Sequence, residues 1–344
     1  MKPAIFSWNL LLALFVAATL TGCKRHESAP GKSVQPSSNV SGSLPFKLNL
    51  KEFYTGGYHA DRPQEWLYEE FHGEQIFDGV PFDVNGYCEA YGERSLQWHR
   101  NQNVRRDLTG ILIGRKFDEL HLIHEARFRE YAGCTIATLR LNYDDGTHAE
   151  LPIQYAVHVQ DISRLLTEEV ELLADPDSKI IWRGQKQTEY EVNHRLYKTR
   201  LQNPHPQKTV MTMDVINART RASYVLAAAT VVSADARREI TPGLPLNVPA
   251  RYYDGTLTVR VLDSATDKPL AGVDCDPGMQ IGKSNVVGDP VLTDENGEAV
   301  FKYPTSRTTN AYVIISKPGY VQQYGSWEKD SIPATNVIRL QAAR

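Results

Sequence analysis

Cys134-Thr135-Ile136-Ala137-Thr138-Leu139-Arg140-Leu141, then Asn142-Tyr143-Asp144-Asp145-Gly146-Thr147, then Ala149-Glu150-Leu151-Pro152-Ile153, is the stretch whose reading decides the fold class. Apolar and polar residues alternate on both sides of an Asp-Gly pair. A period of two turns successive side chains to opposite faces, so each flank reads as a strand with one face inside. Asp-Gly supplies the positive φ angles of a two-residue hairpin turn. An antiparallel hairpin is expected here, with both turn residues at positive φ.

Working outward, similar short runs recur. Gly110-Ile111-Leu112-Ile113 and Glu119-Leu120-His121-Leu122-Ile123-His124 precede the hairpin. Lys179-Ile180-Ile181-Trp182, Lys208 to Val215 and Tyr224 to Val232 follow it. Short apolar runs separated by turn signals are the pattern of an all-β sandwich or barrel. Ile162 to Leu173 departs from it, since Ile162, Leu165, Leu166, Val170 and Leu173 are closer to helical spacing; a short helix or an irregular loop is expected there. Ile240 to Pro249 holds three prolines and a glycine, which oppose both helix and central strand. It marks a boundary. Beyond it Gly255 to Leu262 alternates, Asp294-Glu295-Asn296-Gly297 makes a turn, and Ala311 to Ile315 is a strand.

The amino terminus differs in kind. Lys2 precedes the apolar run Leu10 to Ala18, which closes on Leu20-Thr21-Gly22-Cys23. That order matches an export signal, and the run is short of the roughly 20 apolar residues a spanning helix needs. The four closing residues resemble the lipobox of bacterial lipoproteins, which implies cleavage after residue 22 and lipidation of Cys23. Lys24, where an Asp would retain the protein at the inner membrane, favours the outer membrane by the same resemblance, if the cell is Gram-negative. Several acyl chains anchor stably, at about 0.8 kcal/mol per buried methylene. The expected location is the cell envelope, lipid-anchored, with the membrane as first partner.

Five segments are expected: the signal at 1–22, a flexible tether at 23–46 rich in Ser, Pro and Gly, a folded unit at 47–238, a linker at 239–253 and a second unit at 254–344. With 38 Lys+Arg against 41 Asp+Glu the net charge is −3, and no basic stripe argues for nucleic acid. Of the four cysteines, Cys88, Cys134 and Cys275 remain after Cys23; a Cys88–Cys134 bridge and buried free thiols both stay open.

The first unit resembles the galactose-binding-like jelly-roll domains of exported bacterial proteins. The matching pieces are Gly79-Val80-Pro81-Phe82-Asp83-Val84, Leu120 to His124, Tyr143-Asp144-Asp145-Gly146, Ile181-Trp182-Arg183-Gly184, Arg195-Leu196-Tyr197 and Asn203-Pro204-His205-Pro206. Where such domains often carry a Trp before the Asn-Pro, this chain has Leu201-Gln202. The second unit is similar to the carboxypeptidase regulatory-like, or prealbumin-like, sandwich, through Gly255 to Val259, Asp267-Lys268-Pro269-Leu270-Ala271-Gly272-Val273, Thr293 to Phe301 and Lys317-Pro318-Gly319-Tyr320. Such domains are non-catalytic in their relatives, which implies a spacer or adhesive module. The fold class expected is therefore a jelly-roll sandwich followed by a smaller prealbumin/Ig-like sandwich.

Catalytic signatures are absent: no Gly-x-Ser-x-Gly, His-Glu-x-x-His, Cys-x-x-Cys or phosphate-cradling loop. His121 and His124, three apart in a strand, fall on opposite faces and form no metal pair. Asp144-Asp145 and Asp294-Glu295-Asn296 offer calcium-type oxygens, yet turn chemistry explains both; a structural calcium stays open and no other cofactor is expected. Tyr58, Trp66, Tyr91 and Trp98 sit in the loop-rich first part as candidate platforms for a sugar ring, whose apolar face suits an aromatic. The functional expectation is a non-enzymatic envelope lipoprotein binding glycan or protein through the jelly roll. A glycan hydrolase with unrecognised carboxylates, or a structural subunit of an envelope assembly, are the alternatives.

Overall fold

Eight strands carry the first sandwich: β1 (Gly86–Ala90), β2 (Asp107–Arg115), β3 (Glu119–Arg127), β4 (Thr135–Tyr143), β5 (His148–Gln154), β6 (Val192–Gln202), β7 (Val210–Asn217) and β8 (Ser223–Val232). The computed structural model describes residues 45–59, 68, 71–99, 104–165, 173–185, 192–233, 255–281, 284–303, 305, 308–332 and 335–343. Cys23, the tether up to residue 44, Trp66 and the 239–253 linker lie outside the described residues.

One sheet runs β1-β8-β3-β6 and the facing sheet β2-β7-β4-β5, with neighbouring strands antiparallel. This interleaved order is that of a double-sheet jelly roll. Phe46–Lys47 adds to β8, Gly56–Gly57 to β1, and Ser163–Leu165 and Ser178–Gln185 to β6. Between the sheets lie Leu120 and Leu122 of β3, Leu226 and Val231 of β8, Leu139 and Leu141 of β4, and Met213 and Val215 of β7. The outer face of β2-β7-β4-β5 is largely polar, as in the Arg140–Glu150 pair at 2.8 Å, with Leu112 and Met211 exposed among its polar residues.

β8 is buried along its whole length and β3 over all but its last residue. Both faces of that sheet are therefore covered, which explains why Tyr224 to Val232 reads as a continuous apolar run. The second cover is a hairpin of Gly73–Phe77 with Val80–Val84. Its Phe82 and Val84 pack, with Phe71, on Ile123, Leu196, Ala227, Ala228 and Val232.

Two turns refine the sequence reading. The hairpin between β4 and β5 forms as expected, but only Gly146 in its turn has positive φ, at 80°, and the Gly146 N–H donates to the Tyr143 carbonyl at 3.1 Å. It is a three-residue loop ending in a left-handed glycine, not a two-residue one. The two-residue form occurs at Asp78–Gly79, φ 51° and 74°, between Phe77 and Val80. The Ile162 to Leu173 segment begins as a strand, because Ile162 is claimed on both sides: its N–H donates to Ala126 at 2.8 Å and its carbonyl accepts from Arg195 at 3.0 Å. Residues 166–172 lie outside the described residues.

The Asn-Pro-His-Pro motif has a physical role. Asn203 is buried, donates Nδ2–H to the Phe117 carbonyl at 2.9 Å and accepts from the Tyr143 hydroxyl at 2.8 Å. It ties the end of β6 to both sheets.

The second sandwich comprises β9 (Gly255–Asp263), β10 (Asp274–Ile281), β11 (Ser284–Val287), β12 (Val291–Leu292), β13 (Glu298–Tyr303), β14 (Thr308–Ser316), β15 (Gln323–Glu328) and β16 (Thr335–Leu340). One sheet is β13-β9-β16, with β9 and β16 parallel; the other is β11-β10-β14-β15, with β12 on β10. Val259, Val261, Cys275, Phe301, Val313 and Ile315 fill the space between. Gly297 closes the expected Asp294 turn at φ 73°, where a Cβ would lie 2.5 Å from the Val261 carbonyl oxygen. The chain is all-β in class. Cys88, Cys134 and Cys275 are free thiols, which settles the bridge question against a disulfide.

Candidate functional site

The sequence candidates separate. Tyr58 is half-buried and stacks on His72, ring centroids 3.7 Å apart at 12°. Tyr91 is buried and meets His99 edge-on at 5.4 Å. Trp98 ends the short helix Glu93–Trp98, and Trp66 lies outside the described residues. Six other aromatics of the first sandwich form a layer over the outer face of β8 and β3: Tyr68, Phe71, Phe77, Phe82, Tyr87 and Trp182 touch one another with centroids 5.6 to 6.3 Å apart. Their packing positions the hairpin cover.

His124 lies toward the inter-sheet space, its Nδ1 3.1 Å from the Tyr224 hydroxyl and its Nε2 2.8 Å from Thr199 Oγ1. His121 turns the other way, 3.1 Å from Glu119. Burial lowers both, to about 3 for His124 and about 4 for His121, so both rings are neutral. Among the described residues no cluster of three metal-ligating side chains occurs. Asp145 Oδ1 serves Thr147 of its own turn and Oδ2 pairs with Lys208 at 2.8 Å; Asp294 Oδ1 serves Asn296 and Glu298.

Under the aromatic layer lies a buried ionic group. Arg127 Nη1 donates to Glu89 Oε2 at 2.7 Å, and its Nε stands 3.5 Å from Glu125 Oε1. Its guanidinium carbon sits 4.7 Å from the Tyr87 ring centre, and Ser95 Oγ donates to the other Glu89 oxygen at 2.8 Å. Burial, reinforced by Glu89 and Asp161 and opposed by Arg127, drives the Glu125 carboxyl well above the usual carboxylate range. Two carboxyls with environments this different can do acid–base work where a substrate reaches them. Here Glu89 and Glu125 expose 1% and 0% of their surface, and both Glu89 oxygens are engaged. The group fixes the end of β3 to β1.

The two sandwiches meet through a second set of charges. Arg221, in the turn before β8, reaches Asp276 at 2.7 Å and also Asp274; Tyr131 donates to Asp274 at 2.6 Å. Arg129 stands 3.7 Å from Asp289, which also accepts from the Tyr155 hydroxyl at 3.0 Å. Asp274 and Asp276 point outward from β10, because Val273 and Cys275, which alternate with them, point in.

The same outward face of β11-β10-β14-β15 continues past this clasp. Gly278 pairs with Tyr312, and Tyr312 with Ser326; Gln280 pairs with Asn310, and Asn310 with Glu328. The Tyr312 ring lies across Gly278, where a Cβ would come within 2.1 Å of it. Tyr324 stands beside it, centroids 5.7 Å apart at 26°, and is 61% exposed. Asn285 lies near the Tyr312 hydroxyl, and Ser326 donates to Asn310 at 3.1 Å. Sequence reasoning missed this pair because the tyrosines alternate within ordinary strands; the visible signal is Gln323 to Glu328, whose aromatics fall on both faces of an edge strand.

No family model and no curated protein matches the chain. Among solved structures it is similar to a group B streptococcus pilus 2b backbone protein, at 9% identity over 78% of this chain and 95% of that one, TM-score 0.22. It is also similar to the pilus adhesin of Streptococcus pneumoniae, at 10% identity, 67% and 33% coverage and TM-score 0.21. The major pilin subunit of Bacillus cereus aligns at 9% identity, 67% and 62% coverage and TM-score 0.20. At such TM-scores these likenesses assign neither family nor activity.

Proposed function

We propose that the chain is a lipid-anchored, non-enzymatic protein of the bacterial cell envelope, held off the membrane by its 23–46 tether, that binds glycan or protein with its paired sandwiches. The observation that carries this reading is the clasp of Arg221, Tyr131, Arg129 and Tyr155 on Asp274, Asp276 and Asp289. It joins two sandwiches into one head while leaving an aromatic sheet face beside the joint, and a preorganised head binds without the cost of ordering its parts. The groups that would suit hydrolysis support the same reading, since Glu89 and His124 are spent on internal contacts and Glu125 is fully buried. Cys23 supplies the anchor.

Two measurements test it. Radiolabelled palmitate should enter the protein in its bacterial host and fail to enter Cys23→Ser. The full-length protein in detergent should bind at least one member of a glycan array or of an immobilised envelope-protein panel. Absence of label, or silence on both panels, overturns the proposal.

A further inference from the structure

We infer that the Tyr312–Tyr324 face of the second sandwich is a binding site for a neutral polysaccharide chain, an assignment that rests on the reading above and places its ligand. A pyranose presents an apolar face of C–H groups and a rim of hydroxyls, so its site needs an open aromatic surface bordered by neutral groups that both donate and accept. Tyr312 and Tyr324 stand side by side at 26° between planes, and Gly278 under Tyr312 lets that ring lie down on the sheet. A larger residue at 278 would lift it.

The border has the required chemistry. Asn285, Gln280, Asn310 and Ser326 flank the rings on four strands, and amides and hydroxyls each offer donors and acceptors. Past the clasp, the described side chains in these rows carry one charge, that of Glu328 at the outer end. The carboxylates nearer the joint, Asp274 and Asp276, are matched by Arg221. A face whose charges are few, with Arg129 near Tyr312 paired to Asp289, suits an uncharged glycan better than a polyanion or polycation. The rows run across four strands and end at the edge strand β15, so a chain can lie along the face and leave at the edge.

Affinity electrophoresis of the full-length protein in detergent tests this, with gels containing mannan, galactan, xylan or β-glucan and a polygalacturonate gel as charged control. At least one neutral polymer should retard the protein, Tyr324→Ala should weaken retardation by about tenfold, and Tyr324→Phe should keep it. Leu112→Ala, exposed on the first sandwich, serves as the surface control and should match the parent. If Tyr324→Ala is retarded as the parent is, the site is overturned and the binding function stands. If no neutral polymer retards the parent, the site is overturned, and the envelope-protein panel then decides the broader function. Retardation by polygalacturonate alone also overturns it.

Discussion

Arg221 of the first sandwich donates from Nη1 to Oδ1 of Asp276 in the second at 2.7 Å, and its own backbone N–H is held by Glu130 at 2.8 Å. The arginine is thus aimed from behind as well as received in front. Both side chains keep about a quarter or less of their surface, 25% and 21%. That places the pair between exposed bridges, worth little, and buried ones, costly to break.

Arg221→Met should lower stability by about 1–3 kcal/mol and separate the unfolding of the two sandwiches. Scanning calorimetry would show one transition in the parent and two in the variant, with the difference shrinking in high salt. A single unshifted transition in Arg221→Met would mean the clasp contributes nothing.

Glu125 should make the protein weaker as pH rises. Its folded carboxyl keeps its proton above the ordinary value of 4.5 while the unfolded chain gives it up, so the unfolded state binds fewer protons and stability falls with pH from about 4.5 upward. Glu125→Gln removes that slope, which is at most about 1.4 kcal/mol per pH unit. Urea unfolding at pH 4, 6 and 8 should find variant and parent closest at pH 4 and the variant gaining thereafter. A constant offset would contradict it.

His124 works in the other direction. Its folded value of about 3 lies below the ordinary 6.5, so the unfolded chain takes up a proton first and stability is lost as pH falls from about 6.5 towards 3. In His124→Gln the acid limb of the pH–stability curve should flatten over that window. An unchanged limb would show that other groups govern it.

Gly92→Ala should destabilise by about 3 kcal/mol, because the added Cβ would sit 2.1 Å from the Ala222 carbonyl oxygen, and backbone cannot step aside as a flexible side chain does. Gly92 also donates to Ser223 Oγ at 2.9 Å. A thermal melt within a degree of the parent would refute this.

Strands with one apolar face were readable from the amino-acid order: β4, β5, β9 and β14 lie where alternation put them, within a residue or a few at the ends. β6 was not. Its Asn193-His194-Arg195 and Lys198-Thr199-Arg200 look like solvent-facing chain. Yet Arg195 and Thr199 expose nothing and Lys198 meets Asp78 at 2.6 Å, so burial there depends on partners far away in sequence. The Asp-Gly rule was right in kind and applied to the wrong pair, since Asp145–Gly146 closes a longer loop while Asp78–Gly79 makes the two-residue turn. Tyr312 and Tyr324 become neighbours only through the pairing of β14 with β15, and Gly278 reaches them through β10. Pairing of that sort is not written locally.

The interleaved strand order also dictates a timetable. Apart from the short Gly56–Gly57 pairing, β1 takes its place against β8, and Gly92 bonds to a residue 131 positions later. Until residue 232 has arrived, the leading part of the first sandwich has nothing to close upon. Closure of the first sandwich therefore waits on the end of its own sequence, and its many long-range pairings make that folding slow compared with one built from local contacts.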